Sequence, residues 1–140
     1  WDQGDENLLH TALREANEEI GLNPRSVTPV ATLPSASPKR REVSVTPFVA
    51  IGINNLELTA DASETAAIFN APLKIFMDLD RYEYFEIKSE TADGDGVIRF
   101  PYLTYNNYKI WGFTLNVITD LLNSTLDAGI DLKYPQHVSK

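Results

Sequence analysis

Three glutamates near the start of the chain carry the clearest potential for chemistry. They are Glu15, Glu18 and Glu19. Because residues three and four apart are neighbours on an α-helix, a helix here would place the three carboxylates side by side. Like charges at that spacing destabilise a helix, and its last turn also disfavours anions. Two interpretations fit the spacing about equally: a solvated acidic face, or a site for a hard cation such as Mg²⁺, which prefers carboxylate oxygens.

The residues around these glutamates form a longer and more specific pattern. It reads Arg14-Glu15-Ala16-Asn17-Glu18-Glu19-Ile20-Gly21-Leu22. This run resembles the second half of the Nudix box, the signature of hydrolases that cleave nucleoside diphosphates linked to another group. Glu6 stands at the upstream distance that the box requires, and the initial glycine of the box would fall just before Trp1. The resemblance favours the cation site over the solvated face.

The resemblance also implies a role for each charged residue of the pattern. Glu15 and Glu19 would bind Mg²⁺ or Mn²⁺ directly, and Glu18 would be a further ligand or a partner for metal-bound water. Arg14 would orient the carboxylates. Its spacing alone is equally consistent with a simple ion pair to Glu18, four residues on.

Further matches are similar to the coenzyme A diphosphatase branch of the Nudix family, which yields 3′,5′-ADP and a 4′-phosphopantetheine product. They are Trp1-Asp2-Gln3-Gly4-Asp5, Leu33-Pro34-Ser35, Val45-Thr46-Pro47-Phe48-Val49, Glu64 with Pro72-Leu73, and Ile110-Trp111-Gly112-Phe113-Thr114. The branch's Gly-Gly-Lys lead-in and upstream motif are absent, and Ala67 stands where a second glutamate is frequent. Hydrolysis of ADP-ribose or another nucleotide, and a catalytically silent binding domain, are the alternatives. Relatives of this branch are often peroxisomal, and the chain ends in Val138-Ser139-Lys140, one residue short of the Ser-Lys-Leu peroxisomal signal. A peroxisomal location is therefore expected, with a cytoplasmic or mitochondrial location as the alternative.

Two more groups are candidates for the site. Glu64 lies where Nudix enzymes often supply a loop carboxylate, so it is a candidate general base, with an ordinary loop or capping acid as the alternative. Lys39, Arg40 and Arg41 form the dense basic cluster of an acidic chain. This cluster is either a solvated loop or a contact for substrate phosphates, which arginine binds in bidentate geometry.

Composition limits the other possibilities. The chain has 140 residues, which suits a single domain over 1–140, and a net charge of -8, which disfavours binding to nucleic acid or anionic membranes. No stretch approaches the roughly 20 apolar residues of a membrane span. There is no cysteine, so thiolate metal ligands and thiol nucleophiles are excluded and oxygen ligands are favoured. The expected partner is a small-molecule substrate.

Hydrophobic periodicity predicts the elements that would position these residues. The first is a helix from about Asn7 or Leu8 to Ile20, ended by Gly21. The further predicted elements are an edge strand over 26–33, a strand over 43–53, a loop over 54–63, a short helix over 72–78, strands over 82–87 and 97–102 joined by a turn at 93–96, and a last helix from Ile110 or Trp111 to Leu126. The class is α/β, and the resemblance implies a Nudix-type α/β/α sandwich with a central mixed sheet, with its first strands absent.

Overall fold

A long helix and a two-stranded sheet make up the first part of the fold. The computed structural model describes residues 3–34, 44–63, 65–91 and 94–132. These fall into two compact units, Trp1–Asn70 and Ala71–Lys140. The prediction of one domain over 1–140 stays a prediction. The first unit contains α1 (Gln3–Ile20), a 3₁₀ turn (Pro24–Ser26), β1 (Val27–Thr32) and β2 (Phe48–Gly52).

The predicted first helix is confirmed, although it begins earlier than its apolar pattern indicates. Leu9, Ala16 and Ile20 recur at helical spacing and are half-buried, so α1 has an apolar side. Asn7, one of the two residues at which this helix was predicted to begin, is not its first residue. It lies inside the helix, where its carbonyl accepts a hydrogen bond from the Thr11 hydroxyl at 2.9 Å.

The two strands of the first unit pair antiparallel, with Val27 opposite Gly52. Their register shifts between Pro29 and Ala31, which is consistent with the missing N–H of a proline in a short edge strand. Both strands were predicted, but β2 is shorter than the predicted 43–53. A further hydrogen bond from Leu33 N to Pro47 O, at 2.9 Å, continues the pairing beyond β1.

The second unit is built on a three-stranded antiparallel sheet in the order β3-β4-β5. The unit contains 3₁₀ turns at Leu73–Met77 and Leu79–Arg81, then β3 (Tyr82–Thr91), β4 (Gly94–Tyr105), β5 (Tyr108–Trp111) and α2 (Gly112–Leu126). The predicted short helix over 72–78 is confirmed as a 3₁₀ turn, and the predicted strands are confirmed and longer. Residues 65–70 form neither helix nor strand.

Two boundaries in this unit differ from the sequence prediction. Ile110 and Trp111 belong to β5 and not to the last helix, because Asn106 and Asn107 adopt left-handed φ angles of 48° and 67° and reverse the chain before them. The predicted turn at 93–96 is also misplaced. Residues 94–96 belong to β4, where Gly94 pairs with Thr91, and Asp93 lies outside the described residues.

Helix α2 packs on one face of this sheet and closes the hydrophobic core of the second unit. Leu103 on β4 and Leu115 on α2 are fully buried at its centre. The buried members of the core are Ile75, Phe76, Leu103, Ile110, Leu115, Leu122, Ile130 and Leu132. Asn123 ties the segment after α2 to the helix, since its side chain donates to Ile130 O and accepts from Ile130 N at 2.9 and 2.8 Å.

Aromatic side chains share the other face of the sheet. Phe85 stacks on Phe100 with ring centroids 5.4 Å apart, and Trp111 meets Phe85 edge-on at 5.3 Å. All strand pairs of the described residues are antiparallel. The fold is therefore mixed α/β with antiparallel sheets and is compatible with a Nudix fold, while the central mixed sheet stays a prediction. Across the described ranges, no helix has both the length and the apolarity to cross a membrane.

Candidate functional site

The three glutamates of the predicted metal site lie in the C-terminal half of α1. Glu15, Glu18 and Glu19 all have exposed side chains. Arg14 donates to Glu18 across one turn, with 3.0 Å between Nη1 and Oε1, and both side chains are 59% exposed. The predicted ion pair is therefore present. The other two of the three glutamates, Glu15 and Glu19, form no ion pair with any described residue.

The end of α1 is fixed by Gly21. This residue has a φ angle of +66°, and its N–H donates to Asn17 O at 3.0 Å, which is the left-handed helix ending that glycine favours. The side chain of Asn17 reinforces the ending by donating to Leu22 O at 2.9 Å. A Cβ at Gly21 would lie 3.3 Å from Thr59 N, so the absence of a side chain also lets a distant segment approach the helix.

That distant segment, residues 59–63 and 65, is called the anchoring loop below. It is joined to the end of α1 by three hydrogen bonds. Thr59 N donates to Ile20 O at 2.9 Å, Asp61 N donates to Glu19 O at 2.9 Å, and the Thr65 hydroxyl donates to Glu19 O at 3.2 Å. The carbonyl of Glu19 thus accepts two hydrogen bonds from the same loop.

Asp61 organises the anchoring loop internally. Its Oδ1 accepts from Ser63 N at 2.9 Å and from Ser63 Oγ at 2.8 Å, and its carbonyl accepts from Thr65 N at 2.7 Å. The backbone and side-chain hydrogen bonds from Ser63 lower the pKa of Asp61 below its usual value. Asp61 is therefore ionised at neutral pH and adds negative charge to the segment that meets the end of α1.

The donor chemistry of this region fits a divalent hard cation. Glu15 and Glu19 offer exposed carboxylate oxygens one helical turn apart, and Mg²⁺ can be held by one or two carboxylates together with substrate phosphates. Within the described part of the chain, no three acidic or histidine side chains converge on one point. These residues can therefore provide two carboxylate ligands, with the remaining ligands supplied by the substrate.

A cleft of about 310 Å³ adjoins the end of α1 in the same unit. Its lining residues are Gly21, Asn23, Ser26, Ile53, Asn55 and Glu57. Its volume is at the lower end of the range for small-molecule sites, which begins at roughly 300 Å³. Four of these six residues have polar side chains, so the cleft offers hydrogen bonding more than apolar contact.

Four other predicted site residues lie outside the described residues. They are the candidate base Glu64 and the basic cluster Lys39, Arg40 and Arg41. Their predicted roles stay predictions. The described neighbours of Glu64 in the sequence, Ser63 and Thr65, both belong to the anchoring loop.

Sequence reasoning missed Asp61, Thr65 and Glu57. Asp61 and Thr65 act through backbone contacts to a helix more than 40 residues away, and no local periodicity reveals such a contact. A local signal did exist for the turn itself, because Asp61-Ala62-Ser63 has the spacing at which an aspartate accepts from a backbone N–H two residues on.

The amino-acid sequence of the chain is similar to those of several bacterial proteins. The chain is similar to proteins named uncharacterized Nudix hydrolase NudL: 35% identical over 120 residues to that of Citrobacter koseri, 33% over 120 residues to that of an Enterobacter species, and 32% over 121 residues to that of Salmonella paratyphi B. Each match covers 86% of this chain and 60% of the relative, so the chain spans about three fifths of the relatives' length. No protein-family model matches the chain. The similarity to these relatives supports the Nudix hydrolase family.

Proposed function

We propose that this chain is part of a metal-dependent Nudix diphosphatase that hydrolyses a nucleoside-diphosphate linkage. The observation that carries the proposal is the exposed pair Glu15 and Glu19 at the C-terminal end of α1, inside a run that resembles the Nudix box. The similarity to proteins named Nudix hydrolase supports the same conclusion independently of the helix geometry.

The electrostatics of α1 support cation binding at this end. A helix C-terminus carries a partial negative charge equivalent to roughly half an elementary charge. The last turn of α1 contains no basic residue, and it carries Glu18 and Glu19 instead. Arg14 compensates one carboxylate only. A bound cation would therefore relieve the repulsion between Glu15 and Glu19, which the ion pair of Arg14 with Glu18 does not offset.

Each residue then has a defined task. Glu15 and Glu19 would hold Mg²⁺ or Mn²⁺, and Glu18, held by Arg14, would accept a hydrogen bond from a water in the site. When bound, the cation supplies charge neutralisation for the diphosphate and makes a water more acidic. Glu64 stays the candidate for removing the proton of the attacking water.

Coenzyme A, or one of its thioesters, is the proposed substrate. The spaced matches to the coenzyme A diphosphatase branch support it, and the basic cluster at Lys39, Arg40 and Arg41 suits a ligand with an extra phosphate. ADP-ribose is the competing substrate, and a catalytically silent binding domain is the competing class. A peroxisomal location stays a prediction, and residues 138–140 lie outside the described residues.

The Glu19→Gln variant tests the metal site. It keeps the shape of the side chain and removes its charge, so Mn²⁺ affinity and turnover of coenzyme A should both fall by more than the roughly 10–100-fold typical of residues that only support a metal ligand. Glu86→Gln is the matched control, because Glu86 is an exposed glutamate on β3 whose ion pair with Arg99 spans 3.6 Å. Full activity of Glu19→Gln would contradict the metal site.

Product analysis by mass spectrometry separates the substrates and classes. Formation of 3′,5′-ADP from coenzyme A supports the proposed branch. Turnover of ADP-ribose with none of coenzyme A contradicts the branch but leaves the diphosphatase. Calorimetric binding of Mg²⁺ and a nonhydrolysable dinucleotide analogue, without any turnover, would identify a silent binding domain.

A further inference from the structure

Two of the last carbonyls of α1 accept hydrogen bonds from residues far along the chain. A helix leaves its final four carbonyl groups without partners inside the helix. At the end of α1, the anchoring loop supplies donors to two of them, with Thr59 N on Ile20 O and both Asp61 N and Thr65 Oγ1 on Glu19 O. These bonds stop the last turn from fraying at the residue whose carboxylate is proposed to hold the cation.

Hydrogen bonds within the anchoring loop hold Asp61 N and the Thr65 hydroxyl close to the end of α1. Because Asp61 accepts both hydrogen bonds from Ser63 and its carbonyl accepts from Thr65 N at 2.7 Å, the chain turns back within five residues. This turn brings the hydroxyl of Thr65 to the same carbonyl that Asp61 N contacts. Thr65 is half-buried and Glu19 is exposed, and the hydrogen bond between them involves the carbonyl of Glu19, so it leaves the carboxylate open to a ligand.

We propose that Asp61 and Thr65 are positioning residues for Glu19, which fix the backbone of the last turn of α1 so that the Glu19 carboxylate meets the cation in one geometry. The inference rests on the proposed function, because it assigns these residues to the same metal site. Neither residue touches the cation or the substrate in this role. Both act through the carbonyl of Glu19.

The proposed role makes a specific statement about cation choice. Mg²⁺ demands nearly ideal octahedral geometry at about 2.0–2.1 Å, whereas Ca²⁺ tolerates variable geometry at about 2.3–2.6 Å. Loss of positioning should therefore weaken Mg²⁺ more than Ca²⁺. A residue with a purely structural role would weaken both cations alike.

The Thr65→Val variant tests the proposal. Valine keeps the branched shape and removes the hydroxyl that donates to Glu19 O. Thr11→Val is the matched control, since Thr11 Oγ1 also donates to a carbonyl of α1, that of Asn7, at 2.9 Å but without any link to the anchoring loop. Two measurements apply to the whole chain: amide hydrogen exchange of Asp61 without metal, and calorimetric titration with Mg²⁺ and with Ca²⁺.

We expect Thr65→Val to speed exchange of the Asp61 amide and to lower Mg²⁺ affinity about 10-fold, the lower end of effects for groups that support a ligand, with a smaller loss for Ca²⁺. Thr11→Val should change neither. An unchanged exchange rate of the Asp61 amide would overturn the positioning role. Faster exchange would also overturn it if the affinities for Mg²⁺ and Ca²⁺ fell equally or did not fall. If the wild-type chain binds no Mg²⁺, the proposed function itself fails, and the exchange data show separately whether the loop holds the helix end.

Discussion

Replacing Gly21 by alanine would test whether the approach of the anchoring loop constrains the end of α1. The structure offers a matched control in Gly129. Both glycines have left-handed φ angles, +66° for Gly21 and +63° for Gly129, so alanine is strained at either position. A Cβ at Gly129 would have no heavy atom within 4 Å, whereas a Cβ at Gly21 would lie 3.3 Å from Thr59 N and 3.4 Å from Thr59 O.

The expected magnitudes follow from these contacts. The left-handed conformation costs a residue with a side chain about 1–2 kcal/mol, and the smaller conformational freedom of alanine in the unfolded chain offsets part of this, about 0.4–1 kcal/mol. Gly129→Ala should therefore cost about 1 kcal/mol. Gly21→Ala must also move the backbone of Thr59 by a few tenths of an ångström, which weakens the hydrogen bond from Thr59 N to Ile20 O. Since such a bond contributes about 0.5–1.5 kcal/mol, the total should be about 2 kcal/mol.

Native-state amide hydrogen exchange measures both costs locally. The free energy of opening is taken from the amides of α1 for Gly21→Ala and from those of α2 for Gly129→Ala, each against the wild-type chain. The exchange of the Thr59 amide is the most direct readout and should rise in Gly21→Ala alone. Equal costs at the two glycines, with an unchanged Thr59 amide, would refute the reasoning that close backbone contact constrains this position.

Two further predictions concern the second unit. Leu115→Ala should lower the free energy of unfolding in urea by about 3 kcal/mol, because Leu115 is fully buried. Leu126 on the same helix is 59% exposed, so Leu126→Ala should change this free energy by no more than about 0.5 kcal/mol. Equal losses in the two variants would contradict the assigned core. The hydrogen bond that Tyr102 donates to Glu83 raises the pKa of Tyr102 above 10.0, its value in the unfolded chain. The stability that this hydrogen bond contributes is therefore fully present below the pKa of the unfolded chain, and it is lost as the pH rises through the pKa of the folded chain. In an NMR titration of the tyrosine rings, Glu83→Gln should bring the Tyr102 pKa back towards 10.0, and an unchanged value would exclude Glu83 as the cause.

The sequence predicted those parts of the site that depend on local spacing. Glu15, Glu18 and Glu19 are neighbours on α1, and Gly21 ends this helix, because both properties follow from helical periodicity and from the conformational freedom of glycine. The Arg14 ion pair is likewise a contact between residues four apart. The anchoring loop was not predicted, since it depends on which distant residues supply donors to the helix carbonyls.

Two strands of the second unit were predicted from local sequence features, and a third was missed. The strand at 82–87 was predicted from its aromatic residues, and the strand at 97–102 from the turn signal that precedes it; the structure confirms and extends both. Strand β5 was missed because its apolar residue Ile110 is followed by a helical pattern, so a helix starting there seemed continuous. The decisive signal was Asn106-Asn107, since asparagine tolerates the left-handed conformation of a tight hairpin turn.

The long-range hydrogen bond between Thr65 and Glu19 also has a consequence for the order of folding. It closes a segment whose ends are 46 residues apart, whereas the β3–β4 hairpin closes where Thr91 pairs with Gly94. Because closing a longer segment costs more chain entropy, we expect the hairpin to form early and the junction at the end of α1 to form late, after the transition state. Contacts formed after the transition state change mainly the unfolding rate. If the proposed cation binds at this junction, we therefore expect it to slow unfolding of the chain and to leave the rate of folding nearly unchanged.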